Sequence, residues 1–297
     1  MATWNELNEE IHALGTTFDI VRRKYLRALA RLTGRNTVLL YSGWLDRPDQ
    51  PGTSISDTDK IGLMTVVEGL DRERGLDLVI HTPGGDTAAT ESIAGYLRAR
   101  FGTDIRVIVP QLALSAGTVI ACASREILMG AQSSLGPIDP QVGGRPAHGV
   151  VEEFRRAEHE MREDPSRVDL WRPILEQYRP TMLGECEKAI SWSREVARNL
   201  LVTGMFADRP DPDALAERAL HGLIDHPITK SHARHLSIGT VRELGLTVRP
   251  LEADPDLQNT VLSVHNAALL TFMNTGAFRL IENQDGRSFI QSVKMGS

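Results

Sequence analysis

The chain has 297 residues, is 41% hydrophobic and 24% charged, and carries a formal net charge of −6. Its length allows one large domain with appendages or two domains, and its balance of residues excludes wholesale disorder. An acidic chain lacks the basic face that nucleic-acid binding needs, and Cys122 and Cys186 are in no disulfide-scaffold or metal-ligand pattern. From the N-terminus, apolar residues recur at Leu7, Ile11, Leu14, Phe18, Val21, Tyr25, Leu29 and Leu32. Steps of three and four predict a long amphipathic helix with a narrow apolar stripe, ended by Gly34. Such a stripe packs either on the chain's own core or on another subunit.

Alternating strands and helices follow. Residues 37–41 read as a strand, 59–70 as a helix, and 76–80 as a strand that runs into Thr82-Pro83-Gly84-Gly85. A helix over 88–100, a strand over 105–109, a buried helix of small residues over 115–123 and a strand over 126–129 come next. Strand–helix units on this scale argue α/β architecture with parallel pairing. After Pro140 the pattern turns helical over 150–162, 184–205 and 214–223, the last capped by Asp211-Pro212-Asp213. A helix over 257–272 and a hairpin, 278–282 with 288–293 around Asp285-Gly286, complete the chain. The longest apolar run, Leu112 to Ala123, is shorter than the about 20 residues that cross a bilayer. The acidic start, Met1 to Glu6, is unlike a secretory signal. A soluble cytoplasmic protein without a membrane span is expected.

Two turns can carry chemistry. Gly84-Gly85 follows a strand and precedes a helix, so its backbone can approach a ligand closely and aim N–H groups into a crevice. The bland alternative is a tight strand-to-helix connection. It is not a phosphate loop, because neither Gly-Lys-Ser/Thr nor Gly-x-Gly-x-x-Gly is present. Leu114-Ser115-Ala116-Gly117-Thr118 also follows a strand. Ser115 either caps a helix or sits where the helix N-terminus favours a developing oxyanion. Ala113 takes the place of the first glycine of a Gly-x-Ser-x-Gly elbow. His226, His232 and His235 cluster near a turn without a partner at ligand spacing, so no metal is expected.

His81 to Gly85, Leu114 to Thr118 and Ser134-Leu135-Gly136-Pro137-Ile138-Asp139-Pro140-Gln141 together resemble the serine dehydrogenase proteinase family, which has the Clp protease/crotonase fold and is related to signal peptide peptidase A. The resemblance extends to Gly34-Arg35-Asn36 with Tyr41 to Trp44, Glu187 to Ile190, Asp225 to Thr229, and Ile281-Glu282-Asn283 with Asp285-Gly286. It implies an α/β Clp protease/crotonase-like ββα spiral with an N-terminal amphipathic helix and a C-terminal helix-hairpin arm. The boundaries are 1–34 for the helical segment, 35–248 for the catalytic domain and 249–297 for the arm.

The resemblance further implies Ser115 as nucleophile, with Gly84, Gly85 and Ala116 supplying oxyanion N–H groups. A serine hydroxyl needs a base. Where the Clp subunit has a histidine, this chain has Asp139, and no histidine stands between Ser115 and His148. Signal peptide peptidases use a lysine, and the resemblance places one at Lys188. Helical spacing sets Lys188 opposite the stripe of Cys186, Ala189, Ile190, Ala197, Leu200 and Leu201, on a face with Trp192 and Glu195. That face is either solvent or a cleft wall, and Trp192 favours the covered reading.

The first expectation is a soluble serine endopeptidase with a Ser115–Lys188 dyad, no cofactor, a peptide or protein substrate and homo-oligomeric assembly. The second is a crotonase-type acyl-thioester enzyme using Asp86 and Asp139, which leaves Ser115 without a task. The third is a non-catalytic oligomeric scaffold. Fold alone does not separate them.

Overall fold

A computed structural model of the chain describes residues 9 and 10, 18–224 and 234–293. A seven-stranded sheet organises them. Its strands in chain order are β1 (Asn36–Ser42), β2 (Leu76–His81), β3 (Ile105–Val109), β5 (Glu126–Met129), β9 (Val248–Pro250), β10 (Ala277–Asn283) and β11 (Ser288–Ser292). The spatial order is β11-β10-β1-β2-β3-β5-β9; the five strands from β1 to β9 run parallel, and β10 and β11 are antiparallel. A short second pair, β4 (Leu112–Ala113) with β6 (Ser134–Leu135), is also parallel. A small hairpin, β7 (Gln141–Val142) with β8 (Arg145–Pro146), precedes the late helices.

The strands at the centre of the sheet are apolar on both faces because helices cover both. Val38, Leu40, Leu78 and Ile80 face one core, which is closed by helices α2 (Asp57–Val67), α3 (Thr87–Phe101), α4 (Ala116–Cys122), α7 (Met182–Leu200) and α8 (Pro212–Ile224). Leu39, Tyr41, Val79, Ile108 and Leu128 face the other, under α1 (Phe18–Thr33) and α10 (Pro255–Asn274). The period of two along each strand sorts residues between these layers. Helices α5 (Ala147–Glu163) and α6 (Val168–Leu175) lie outside, around a small cluster of Ala147, Val150, Val151, Met182 and Cys186. Helix α9 (Ile238–Glu243) leads into β9. No described helix is long and apolar enough to cross a membrane.

The described part of the N-terminal helix packs on the chain's own core, and Ile20 and Leu32 stay exposed. α1 packs against the chain's own α10, with Leu26 and Leu29 in the core it shares with Val261 and Val264. A buried ion pair, Arg22 Nε to Glu282 Oε2 at 2.6 Å, ties α1 to β10, and Arg22 Nη1 donates to Thr271 Oγ1 at 2.9 Å.

Within the segment expected as an arm, the hairpin of residues 277–292 lies in the sheet. β10 lies directly against β1, in register from Val38 opposite Asn283 to Ser42 opposite Arg279. All seven of its residues are buried. An alternating apolar strand with a covered partner on each edge belongs inside a sheet, so the hairpin extends the sheet. β9 escapes sequence reading because Val248-Arg249-Pro250 is short and polar, and α6 because Pro173 interrupts its pattern.

Candidate active site

The loops after β2 and β4 meet at the carboxyl ends of the parallel strands, where open α/β sheets place ligands. Thr82 N–H donates to Leu112 O at 3.0 Å, and Leu114 N–H donates to Thr82 O at 3.0 Å. This bridge lays the end of β4 beside the start of the diglycine loop. Thr118 Oγ1 lies 2.7 Å from Gly136 O and 3.1 Å from Ala113 O, and accepts from Gly136 N–H at 3.1 Å. The Ser134–Gln141 segment is thereby fixed to the Ser115 turn.

Ser115 has φ 50° and ψ −108°. A positive φ on a non-glycine residue costs about 1–3 kcal/mol and is kept where surroundings over-determine it. Here the turn projects a half-buried side chain at the start of α4. Ala113 stands where an elbow has its first glycine, yet the backbone makes a sharp strand-to-helix turn. Small neighbours allow it: a Cβ on Gly84, whose φ is +105°, would stand 2.8 Å from Ser115 Cβ and 3.2 Å from Ala116 N. Any side chain at residue 84 would therefore push the Ser115 turn away.

Gly85 is fixed from its other edge. Ile55 N–H donates to Gly84 O at 2.7 Å and Asp86 N–H donates to Ile55 O at 2.9 Å, a parallel bridge that leaves the Gly85 N–H directed away from Ile55. A Cβ at Gly85 would lie 2.3 Å from both Ile55 N and Ile55 O. Among the described residues, the N–H groups of Gly85 and Ala116 donate to no protein acceptor, whereas Gly84 N–H faces Thr82 Oγ1 at 3.2 Å. The geometry thus narrows the three expected donors to Gly85 and Ala116, and gives Gly84 the role of close contact.

These groups border a cleft of about 480 Å³. Ser54, Gly85, Ser115 and Asp139 supply polar lining, and Val119, Ile138 and Val196 supply apolar lining. Asp139, 2% exposed, stands in the cleft wall. Sequence reading missed Ser54 and Ile55, although Ser56 with Asp59 has the spacing of a capping box and marks that turn. It also missed Ser193 and Val196, the part of α7 that borders the cleft.

Lys188 lies apart from this set. It is exposed and is not in the cleft lining. Trp192, on its face of α7, is 41% exposed, and its indole N–H donates to Glu91 at 3.1 Å. The expectation that Trp192 marks a covered face is corrected: the indole spans the surface between α7 and α3. Ser193 is the inward residue because it falls on the stripe with Cys186, Val196 and Ala197. Of the histidines, His226 and His232 lie outside the described residues, and His235 is exposed. Among the described residues, no group of His, Cys, Asp or Glu is arranged to hold a metal.

Two uncharacterized proteins of Methanocaldococcus jannaschii, MJ0137 and MJ1495, are similar to the chain. The first is 31% identical over 224 residues, 74% of this chain and 73% of its own. The second is 32% identical over 160 residues, 54% of this chain and 52% of its own. The family described as ClpP-like SDH-type serine proteinase matches residues 52–252, a span that holds the diglycine loop, the strained serine and the helical wall of the cleft. The chain belongs to the ClpP-like SDH-type serine proteinase family.

Proposed function

We propose that the chain hydrolyses peptide bonds as a serine endopeptidase, with Ser115 as nucleophile and the Gly85 and Ala116 N–H groups as oxyanion donors. One observation carries the reading: a strained serine turn pressed on a diglycine loop, with two backbone donors left unengaged beside it. In this reading Ser115 Oγ attacks the carbonyl carbon of an extended peptide and gives its proton to a base. The carbonyl oxygen becomes an oxyanion held by the two N–H groups. Collapse of the tetrahedral species breaks the C–N bond, and the leaving amine takes the proton from the base. Water then hydrolyses the acyl-enzyme by the same route. β3, β4 and α4 form one ββα turn of a spiral, and β5 with β6 begins the next. Self-assembly belongs to the same proposal, motivated by exposed Ile20 and Leu32 on α1; mass measurement in solution tests it, and a monomer at micromolar concentration sinks it.

For the base, the family resemblance supports Lys188. Ser193 and Lys188 are five residues apart on α7, about 140° around the helix, so the dyad requires α7 to turn its N-terminal half toward the cleft when substrate binds. A second reading is favoured by burial and position: Asp139 already stands in the cleft wall. The acyl-thioester alternative uses the same donors without Ser115.

Labelling with a fluorophosphonate, with the adduct mapped, tests the whole reading. The wild type is expected to be labelled at Ser115 and Ser115→Ala to be inert; an unlabelled wild type would overturn the assignment. Lys188→Ala abolishes labelling if the dyad holds, and Asp139→Asn abolishes it if Asp139 is the base. Turnover of an acyl thioester by Ser115→Ala favours the crotonase-type chemistry instead.

A further inference from the structure

We infer that Arg279, on the C-terminal hairpin, is a positioning residue for the oxyanion donor Gly85, acting through the strap of residues 52–55. This rests on the peptidase reading of the cleft.

The strap carries no regular strand, yet its carbonyls are engaged in succession. Gly52 O accepts from Arg279 Nη2 at 3.0 Å, and Ser54 O accepts from the same nitrogen. Thr53 O accepts from Ser42 Oγ at 2.6 Å. Ile55 O accepts from Asp86 N–H at 2.9 Å, and Ile55 N–H returns a bond to Gly84 O at 2.7 Å. The guanidinium therefore grips two carbonyls of a segment whose next residue clamps the diglycine loop on both sides of Gly85. Its charge is met by Asp59, with Nε 3.1 Å from Oδ1 and the two side chains 1% and 2% exposed. Asp59 Oδ2 in turn accepts from Ser56 N–H at 2.9 Å, which fixes the strap's far end to α2.

Packing alone does not ask for an arginine here. A buried ion pair is a poor way to gain stability, since desolvation offsets the attraction and apolar residues of similar volume do as well or better. What an apolar pair lacks is the Nη2 nitrogen, whose two N–H groups hold both carbonyls in one geometry. The strap also leaves little slack, because Gly85 stands so close to Ile55 that even a Cβ would overlap it. A displacement of Ile55 is thus transmitted directly to the direction of the Gly85 N–H. Such a donor counts in the transition state more than in substrate binding, so its loss appears in kcat rather than KM.

Two variants separate positioning from stability. Arg279→Lys keeps a charge beside Asp59 but lacks the planar guanidinium that reaches Asp59 through Nε and both carbonyls through Nη2, and the double variant Arg279→Met/Asp59→Leu removes the pair as a neutral, apolar replacement. In both, amide hydrogen exchange at Ile55 and Asp86 is expected to quicken at least about tenfold, and kcat on a fluorogenic peptide to fall roughly 10- to 100-fold with KM within about twofold. The double variant is expected to keep the wild-type melting temperature within a few degrees. Unchanged exchange and kcat in a folded variant overturn the inference, as does a loss that tracks melting temperature and affects KM and kcat alike. Wild-type protein that takes no fluorophosphonate at Ser115 refutes the peptidase reading instead, and the exchange measurement then decides separately whether Arg279 holds the strap.

Discussion

The two sides of the cleft are built differently. The floor consists of loops at the ends of parallel strands, where Ile55, Gly84, Asp86, Leu114 and Gly136 are cross-linked by backbone hydrogen bonds and lie over the main core. In the helical wall, α5 packs on the N-terminal half of α7 through a small cluster around Val150 and Cys186 and carries surface ion pairs such as Arg156–Glu160 at 2.8 Å and Arg162–Glu158 at 2.6 Å, while the C-terminal half of α7 joins the main core. Exposed pairs of that kind contribute little, about 0–1 kcal/mol each. The difference teaches that the residues proposed as nucleophile and donors are fixed by loops at the ends of the sheet's strands. The proton acceptor belongs to whichever wall element reaches them.

Ser115→Ala attacks the floor most directly. Peptidase activity is expected to fall at least about 10³-fold with the fold intact, measured as peptide turnover beside a melting curve; retained turnover would place the chemistry elsewhere. Gly85→Ala comes next. With its Cβ 2.3 Å from Ile55 backbone atoms, a loss of roughly 10²–10³ in kcat and about 1–3 kcal/mol of stability is expected. Wild-type kinetics in that variant would mean that the floor is less rigid than its hydrogen bonds imply. On the helical wall the effect should be smaller and of another kind. Ser193→Leu fills the cleft without touching the donors, so KM should rise about tenfold and kcat change little.

The mildest prediction concerns the opposite face of the sheet. His81 and His265, 5.2 Å apart beside Tyr41 and Trp44, are held neutral by burial. Burial lowers His81 to about 4, and burial with the His81 charge lowers His265 to about 3. Between the unfolded value of about 6.5 and these folded values, the unfolded chain binds more protons. Stability is therefore full above pH ~6.5 and declines as the solution is acidified through that window, by at most about 1.4 kcal/mol per pH unit for each histidine. His265→Gln should flatten the profile; an unaltered slope would assign the acid sensitivity to other groups.

Much of this architecture was legible in the residues. Continuous apolar runs such as Leu76 to Ile80 announce strands covered on both faces, and β1, β2, β3 and β5 lie within a residue or so of the expected ranges. The paired turns at Gly84-Gly85 and Ser115 were legible because glycine and small residues are required where two backbones touch. What the sequence hides is contact at long range. Nothing local marks Ser54 or Ile55 as a cleft wall, or Arg279 as their anchor, because those roles arise only when β10 pairs with β1. Helical periodicity put Lys188 and Trp192 on one face but left open whether it meets solvent, since that depends on what packs over α7.

The pairing of Val38 with Asn283 has a consequence for the life of the protein. β1 must wait for β10, which is far along the chain, before its second edge is covered, a contact that is slow to form and leaves an open edge meanwhile. The same late segment brings Arg279 to its place behind the diglycine loop. A nascent or C-terminally truncated chain thus holds the serine without its completed surroundings. On the proposed reading, the surroundings of the serine are complete only once β10 has been made and has paired with β1.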